Sequence, residues 1–518
     1  MTRMTRLTDF TLHADAHRHF SGAGLWALFD GDRERLNIAH ECVDRWAVGP
    51  DRVALRLAFG DGSSEEIGFH ALSAWSSRCA HWLRRRGIMP GDRVAIMLEP
   101  SLPFYAALFG AMKAGAVAVP LFTLFGPDGV RLRVDDCAPR LLLTNAEKAA
   151  STGFLSGVET IVADDAFMAG LRDFPDRFTV DTRADAMAMY QYTSGTTRDM
   201  PVAIKHTHRA VVVVANAALY GTGVRPGDRF FCPSSPAWGH GLWHGTLAPL
   251  GLGVASGTFS GRFDAGLLLK TMAAFGITNL SAAATHYRMM KNSGVAHQYR
   301  YALEKMSFTG EPVDSVSLSW AEAIFGTRLC SMYGTTEVGV ILADYPGAAD
   351  FPGKPGSLGK PVPGVKVAII GPDGSEAETG EIKVWRHDAW FPTKDRGRID
   401  ADGYFWHGGR ADDVIISAGW TIGATEVEDA LLKHPAVREA AVIGVPDALR
   451  GQVIKAFIVA DRPGDDTLAA DIQTFVRTRL SQHEYPRIVQ FMPELPKTPA
   501  GKVNRKTLRD REAAPEQP

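Results

Sequence analysis

Cysteine is scarce in this chain: five residues (Cys42, Cys79, Cys137, Cys232, Cys330) are scattered over 518 positions with no CxxC pair. An odd, dispersed set argues against a disulfide framework or a zinc ribbon and reads as a reducing, cytoplasmic compartment. Neither sign of charge dominates, since 56 Lys+Arg stand against 58 Asp+Glu for a formal net charge of −2. That balance weighs against broad binding of nucleic acid or an anionic membrane. The opening MTRMTRLTDFTLHADAHRHF lacks the apolar stretch of a signal peptide. The most hydrophobic segment, 102–126, is interrupted by Pro103, Lys113 and Pro120. It reads as a buried helix followed by a buried strand, not as a membrane span. Internal repeats and low-complexity tracts are missing as well.

What the chain does have is ordinary globular material, 45% hydrophobic and 22% charged, in a length that fits about three domains. A strand in 92–100, a helix over 102–114 closed by Gly115 and a strand at 116–120 make one strand–helix–strand unit. Such units pair their strands in parallel within an α/β domain. Further strands are expected at 140–144, 159–163, 228–232 and 277–281, with helices near 207–220 and 264–275. Turn-rich sequence over 345–408 points to antiparallel strands. From about 412 the pattern changes to helix 424–433, strands 438–445 and 453–460, helix 467–480 and strand 487–491. The expectation is a large domain, 1–411, and a small α+β domain, 412–518, joined by the glycine- and charge-rich GGRADD (408–413).

Several segments carry residues suited to chemistry. YTSGTTRDMPVAIKHTH (192–208) sets Thr193, Ser194, Thr196 and Thr197 around Gly195 ahead of a helix. Backbone amides and hydroxyls in such a loop can hold phosphate oxygens, and Lys205 can neutralise them. TGEP (309–312), MYGTTE (332–337), Asp395 in PTKDRGRID, GRADDVIISAGWTIGATEVE (409–428) and LPKTPAGKVNRKTLR (495–509) follow in order.

This ordered set, covering about 35–510, resembles the adenylate-forming superfamily of acyl-CoA synthetases, peptide-synthetase adenylation domains and luciferases. The resemblance implies doubly wound α/β sheets and a β-barrel-like subdomain in the large domain, followed by a small mobile α+β domain. It also implies a two-step reaction. A carboxylate attacks the α-phosphate of MgATP to give an acyl-adenylate and pyrophosphate, and a thiol, usually that of coenzyme A, then displaces AMP. Holding two anions together requires cationic and N–H donors.

The resemblance assigns roles position by position. Thr193, Ser194, Gly195, Thr196 and Thr197 would cradle the β- and γ-phosphates. Gly310, Glu311 and Pro312 would line the adenine face and Tyr333 would stack on the base. Thr335 and Thr336 belong to the nucleotide site, Thr336 at the α-phosphate, and Glu337 would help hold Mg²⁺, an ion that prefers carboxylate oxygen. Asp395 would accept from the ribose hydroxyls, Arg410 would contact ribose or phosphate, and Lys502 would bridge the attacking carboxylate and the nucleotide. Asp412 falls at the family's hinge and Gly419 at its pantetheine tunnel.

Two departures stand out. The phosphate loop has Arg198 where the family has glycine, and the lysine after its proline is missing, which leaves Arg198 or Lys205 to supply the charge. Thr421 replaces the usual arginine of the small-domain motif. For the acid, FFCPSSPAWGHGLWHG (230–245) has no acidic residue to pair with an α-ammonium group, which disfavours amino acids. Acyl-pocket candidates are Trp238, His240, Tyr287, Thr309 and Gly334. Gly334 stands where acetate enzymes carry a tryptophan, so an indole-sized opening is expected there. The expectation is an AMP-forming acyl-CoA synthetase for medium-chain, alicyclic or aromatic acids, with ATP, Mg²⁺ and coenzyme A as cofactors. An acyl-AMP ligase that loads a carrier protein and a nucleotide-binding protein without turnover are the alternatives. Homodimer formation stays open.

Overall fold

The structure, a computed structural model, describes the chain apart from residues 1–4, 154, 156, 193–201, 262, 336, 411–413, 418–419, 448–450, 481–484, 499–500 and 514–518. Two largely parallel sheets form the large domain. The first has six strands in the order 159–162, 141–144, 93–97, 117–120, 187–191 and 204–207. All its pairs are parallel except the last, where Tyr190 faces Lys205. The second has nine strands, and its parallel centre runs 329–335, 305–309, 279–283, 230–231, 256–260 and 53–59.

The segment 102–126 behaves as its interrupted hydrophobicity implies. Helix Leu102–Lys113 starts with Ser101 accepting from Phe104 N–H, and strand Val117–Pro120 is buried throughout. Gly110 lets this helix press against Phe69–Arg85, because a Cβ there would come within 2.8 Å of Cys79 Cβ. Lys113 is buried with its ammonium bound to Asp44 Oδ1 (2.5 Å), Ser77 Oγ (2.9 Å) and the Ser73 carbonyl (3.0 Å). Buried charge is tolerable when it is paired and fully hydrogen-bonded in this way. Among the described residues no helix is long and apolar enough to cross a membrane.

The turn-rich stretch forms a four-stranded antiparallel sheet, 367–370, 379–386, 389–399 and 405–410. The small C-terminal domain is a five-stranded sheet built on the long pair Val437–Asp447 and Gly451–Ala460, with its own core of Val427, Leu431, Val442, Ile458 and Ile472. The expected boundary at 411/412 falls among residues outside the description.

Two differences from the sequence reading fall within 228–247. The strand expected over 228–232 pairs only at Phe230–Phe231, and a π-helix, His240–Leu247, follows it unannounced. Gly241 and Gly245 permit that wider turn: a Cβ on Gly241 would lie 2.2 Å from the Ser235 carbonyl oxygen, and one on Gly245 would lie 2.8 Å from Cys232 Sγ. Single π turns often mark functional sites.

Candidate active site

Ligands in α/β sheets bind beyond the carboxyl ends of the parallel strands, and here several of those ends converge. Strand Lys305–Thr309 runs out into Gly310–Pro312, strand Leu329–Thr335 carries Tyr333 and Thr335 at its end, and strand Asn279–Ala283 leads into helix Ala284–Ser293. A cavity of about 1070 Å³ opens above them. Lys205, Trp238, His240, Thr309, Gly310, Glu311, Pro312, Tyr333, Gly334, Thr335, Glu337, Asp395 and Lys502 all border it. These residues are spread over three hundred positions of sequence, and the fold brings them to one place. Thr193–Thr197, Arg198, Thr336, Asp412 and Gly419 lie outside the described residues, as do the side chains of Arg410 and Thr421.

At one end Tyr333 Oη donates to Asp395 Oδ2 at 2.7 Å, and His407 Nε2 stands 3.8 Å from Asp395 Oδ1. Asp395 is only 6% exposed. Lys394 before it has φ +65°, and the pairing register shifts between Asp395 and Gly397. A bulge of this kind re-aims a side chain, here toward the tyrosine of a different sheet. Lys205 sits on the edge strand with its ammonium 5.1 Å from the centre of the Tyr190 ring, a cation–π distance.

At the other end Lys502 enters from the small domain. Its Nζ is 5.4 Å from the Trp238 ring centre, and its Cε would be 3.1 Å from a Cβ on Gly310, whose φ is +99°. Glycine at 310 thus serves both a left-handed turn and the close approach of the lysine stem.

Glu311 is engaged by residues the sequence reading missed. Arg288 forms an ion pair with its carboxylate, and Thr285 Oγ lies 2.9 Å from Glu311 Oε1 and 3.2 Å from the Gly501 carbonyl oxygen. A hydroxyl has one hydrogen to donate, so Thr285 shares it between the large domain and the lysine loop. Burial pushes the Glu311 carboxyl up, but Arg288 first, then Thr285, Lys502 and Arg505, outweigh it and hold the carboxyl below its ordinary value. Thr285 and Arg288 sit three apart on one helix face, a spacing that by itself does not distinguish them from other polar pairs on a helix.

His240, at the start of the π-helix, is buried. Its Nδ1 is 2.9 Å from Ser234 Oγ and its Nε2 2.9 Å from Ser281 Oγ, which accepts in turn from Ser307 Oγ. Burial holds this imidazole well below its ordinary value. It borders the cavity as a neutral ring with both nitrogens already engaged.

Two pocket expectations are corrected. Tyr287 is fully buried in the core and donates to the Ser307 carbonyl at 2.9 Å. On the helix Ala284–Ser293, Thr285 and Arg288 face the site while Tyr287 and Met290 face inward. Gly334 does border the cavity, but its missing side chain does not open an indole-sized slot. A Cβ there would fall 1.8 Å from the Gly339 carbonyl oxygen and 2.8 Å from Val340 Cα. Glycine is required at 334 because the neighbouring strand Gly339–Ala343 crosses over it.

Among the described residues no group of three His, Cys, Asp or Glu is arranged to hold a metal. The exposed carboxylate of Glu337 at the cavity edge nevertheless fits Mg²⁺, which typically takes one or two protein carboxylates and completes its shell with water and substrate phosphate.

Comparison with known proteins matches residues 43–388 to the AMP-binding enzyme family and 426–502 to the AMP-binding enzyme C-terminal domain. The acetyl-coenzyme A synthetase of Bacillus subtilis (strain 168) is 30% identical over 96% of this chain and 94% of its own length. The crystal structure of a Brucella canis acyl-CoA synthetase is 31% identical, with a TM-score of 0.76, over 98% of this chain and 100% of that one. An anthranilate CoA ligase, AuaEII, solved in complex with anthranoyl-AMP, superposes with a TM-score of 0.84 at 25% identity, over 95% of this chain and 99% of that one.

Proposed function

We propose a substrate class from a plain premise: the chain belongs to the AMP-binding enzyme family, and within it to the AMP-forming acyl-CoA synthetases, acid–thiol ligases that use ATP, Mg²⁺ and coenzyme A. Its acid is medium-chain, alicyclic or aromatic. The observation that carries this reading is the cavity itself. At about 1070 Å³ it has room for a nucleotide and an acid side by side, and the wall it offers the acid is aromatic. Trp238 and Trp243 wall one end, and the 230–245 segment has no carboxylate to pair with an amino group. The likeness to an anthranilate CoA ligase supports the same class.

In this reading Asp395 accepts from the ribose hydroxyls, Tyr333 stacks on the base, and Glu337 offers its carboxylate to Mg²⁺. The 193–197 segment and Thr335–Thr336 hold phosphates, with Arg410 at the ribose or phosphate. Lys502 stabilises the charge that builds as the acid's oxygen attacks the α-phosphate. The small domain then turns about Asp412 to bring Gly419 and coenzyme A to the acyl-adenylate. The five buried, free cysteines suit a cytoplasmic enzyme.

The test is pyrophosphate release across acetate, butyrate, hexanoate, cyclohexanecarboxylate and benzoate, with and without coenzyme A. Each methylene buried in a dry slot adds about 0.8 kcal/mol, so four give roughly a hundredfold preference. Hexanoate or ring acids should lead. Preference for acetate would return the chain to the short-chain enzymes, and thioester formation only with a carrier protein would replace coenzyme A as acceptor.

A further inference from the structure

Away from the cavity the small domain touches the large one at a second point. Helix Ser315–Phe325 of the large domain begins with Asp314, whose Oδ1 accepts from Ser317 N–H at 2.8 Å. The first amide of the helix, Ser315 N–H, has no carbonyl within its own helix to bind, as at every helix start. It donates instead across the domain boundary, to Asp429 Oδ1 at 2.7 Å. Asp429 lies on helix Ala424–Leu432 of the small domain, and its other oxygen pairs with Lys433 at 2.8 Å. Each carboxylate oxygen thus has a separate partner, one in each domain. The carboxylate also sits at the positive end of the Ser315–Phe325 helix, where negative charge is favoured. Burial pushes the Asp429 carboxyl up, but Lys433 first and then Ser315 outweigh it and hold the carboxyl below its ordinary value.

We infer that Asp429 is a positioning residue that latches the small domain in the pose that delivers Lys502 to the cavity. The inference rests on the proposed reading that Lys502 serves adenylation and that thioester formation uses a second pose. Asp429 does not border the cavity. It acts through the domain arrangement, because a turn of the small domain that withdraws Lys502 separates Asp429 from the helix start. A charge-assisted hydrogen bond present in one pose and absent in the other shifts the balance between them by about tenfold.

The latch can be broken from either side. Asp429→Ala removes the acceptor. Ser315→Pro removes the donor at the first helical position, where proline is well tolerated, and Asp314 already has the extended backbone (φ −65°, ψ 152°) that a residue before proline prefers. In the full-length enzyme each variant should slow acid- and ATP-dependent pyrophosphate release by about tenfold, while coenzyme A thioester formation from supplied acyl-adenylate holds or rises. The double variant should be no worse than either single one, since both remove the same bond. Asp429→Asn should recover most of the loss, because its amide oxygen still accepts. Lys433→Ala, which leaves the Ser315 bond in place, should leave both half-reactions within twofold of the parent.

Lys502→Ala is run alongside. If it separates the two half-reactions and the latch variants do not, the latch is overturned and the proposed function stands. If Lys502→Ala slows both half-reactions equally, the pose assignment and the latch fall together. Equal loss in both half-reactions for Asp429→Ala and Ser315→Pro, or an Asn variant as impaired as Ala, also overturns the latch.

Discussion

Tyr333 and Asp395 come from different sheets and meet through a 2.7 Å hydrogen bond, the tyrosine hydroxyl donating to the aspartate Oδ2. The bond ties the end of the strand Leu329–Thr335 to the strand Ala389–Ile399 and sets the spacing of the two groups assigned to base and ribose. Tyr333→Phe keeps the ring and removes the donor. A hydrogen bond to a charged group contributes about 1.5–3 kcal/mol, so the KM for ATP should rise at least roughly tenfold while the order of preference among acids is unchanged. Steady-state kinetics with ATP varied over two acids checks this. An unchanged KM would remove the bond from nucleotide positioning.

Arg288→Ala should destabilise the fold strongly. It leaves the Glu311 carboxylate largely buried beside Thr285 without its guanidinium, a loss of about 3–5 kcal/mol for a broken buried pair. The pair also sets an acid limb. The folded-state value of Glu311 lies below its unfolded value, so its contribution is complete above the ordinary carboxylate range and is lost as pH falls through the folded value. Urea unfolding at neutral pH and at acid pH should show that limb in the parent protein and a weaker one in Arg288→Ala.

Gly334→Ala should lower Tm and impair activity on every acid alike. Its Cβ would meet the Gly339 carbonyl oxygen at 1.8 Å, so the strand pair must shift before any change reaches the acyl pocket. Thermal unfolding and kcat/KM for acetate and hexanoate decide the point. A normally stable variant with a preference shifted to acetate would restore Gly334 as the wall of the acyl slot.

Acid should unfold this protein earlier than carboxylate titration alone requires. Burial lowers His206, His208, His244 and His286 to about 4, from an unfolded value near 6.5. The unfolded chain therefore binds more protons below pH 6.5. Stability from these neutral imidazoles is complete above that pH and is lost progressively as pH falls towards 4, by up to about 1.4 kcal/mol per pH unit for each group. Unfolding free energies at pH 7.5, 6 and 5 should fall steeply across the last interval, and a flat profile there would mean that the imidazoles are hydrated in the folded state.

Much of the site was legible in the order of short motifs. The ordered set of motifs resembles the adenylate-forming superfamily, and that resemblance places Thr309–Pro312, Tyr333, Gly334, Thr335, Glu337, Asp395 and Lys502 in one site; the fold gathers these residues around one cavity. Parallel strand–helix–strand units were legible too, because a helix such as Leu102–Lys113 and a strand such as Val117–Pro120 advertise themselves through local hydrophobic pattern and the closing Gly115. The π-helix at 240–247 was not, since its wide turn depends on Gly241 and Gly245 meeting Ser235 and Cys232, not on periodicity.

The amino-acid sequence by itself determined the order of the elements and the chemistry available to them, through spacing, caps and turn glycines that act within a few residues. Only the tertiary structure decided which way each group faces. Tyr287 has the size of a pocket wall yet turns into the core, while Arg288 beside it turns to Glu311. Gly334 reads as empty space until the carbonyl of Gly339 is seen to lie across it. In each case the deciding partner is a different element, brought close by packing, and the free energy of close packing and buried charge depends on that partner's atoms rather than on the neighbours along the chain.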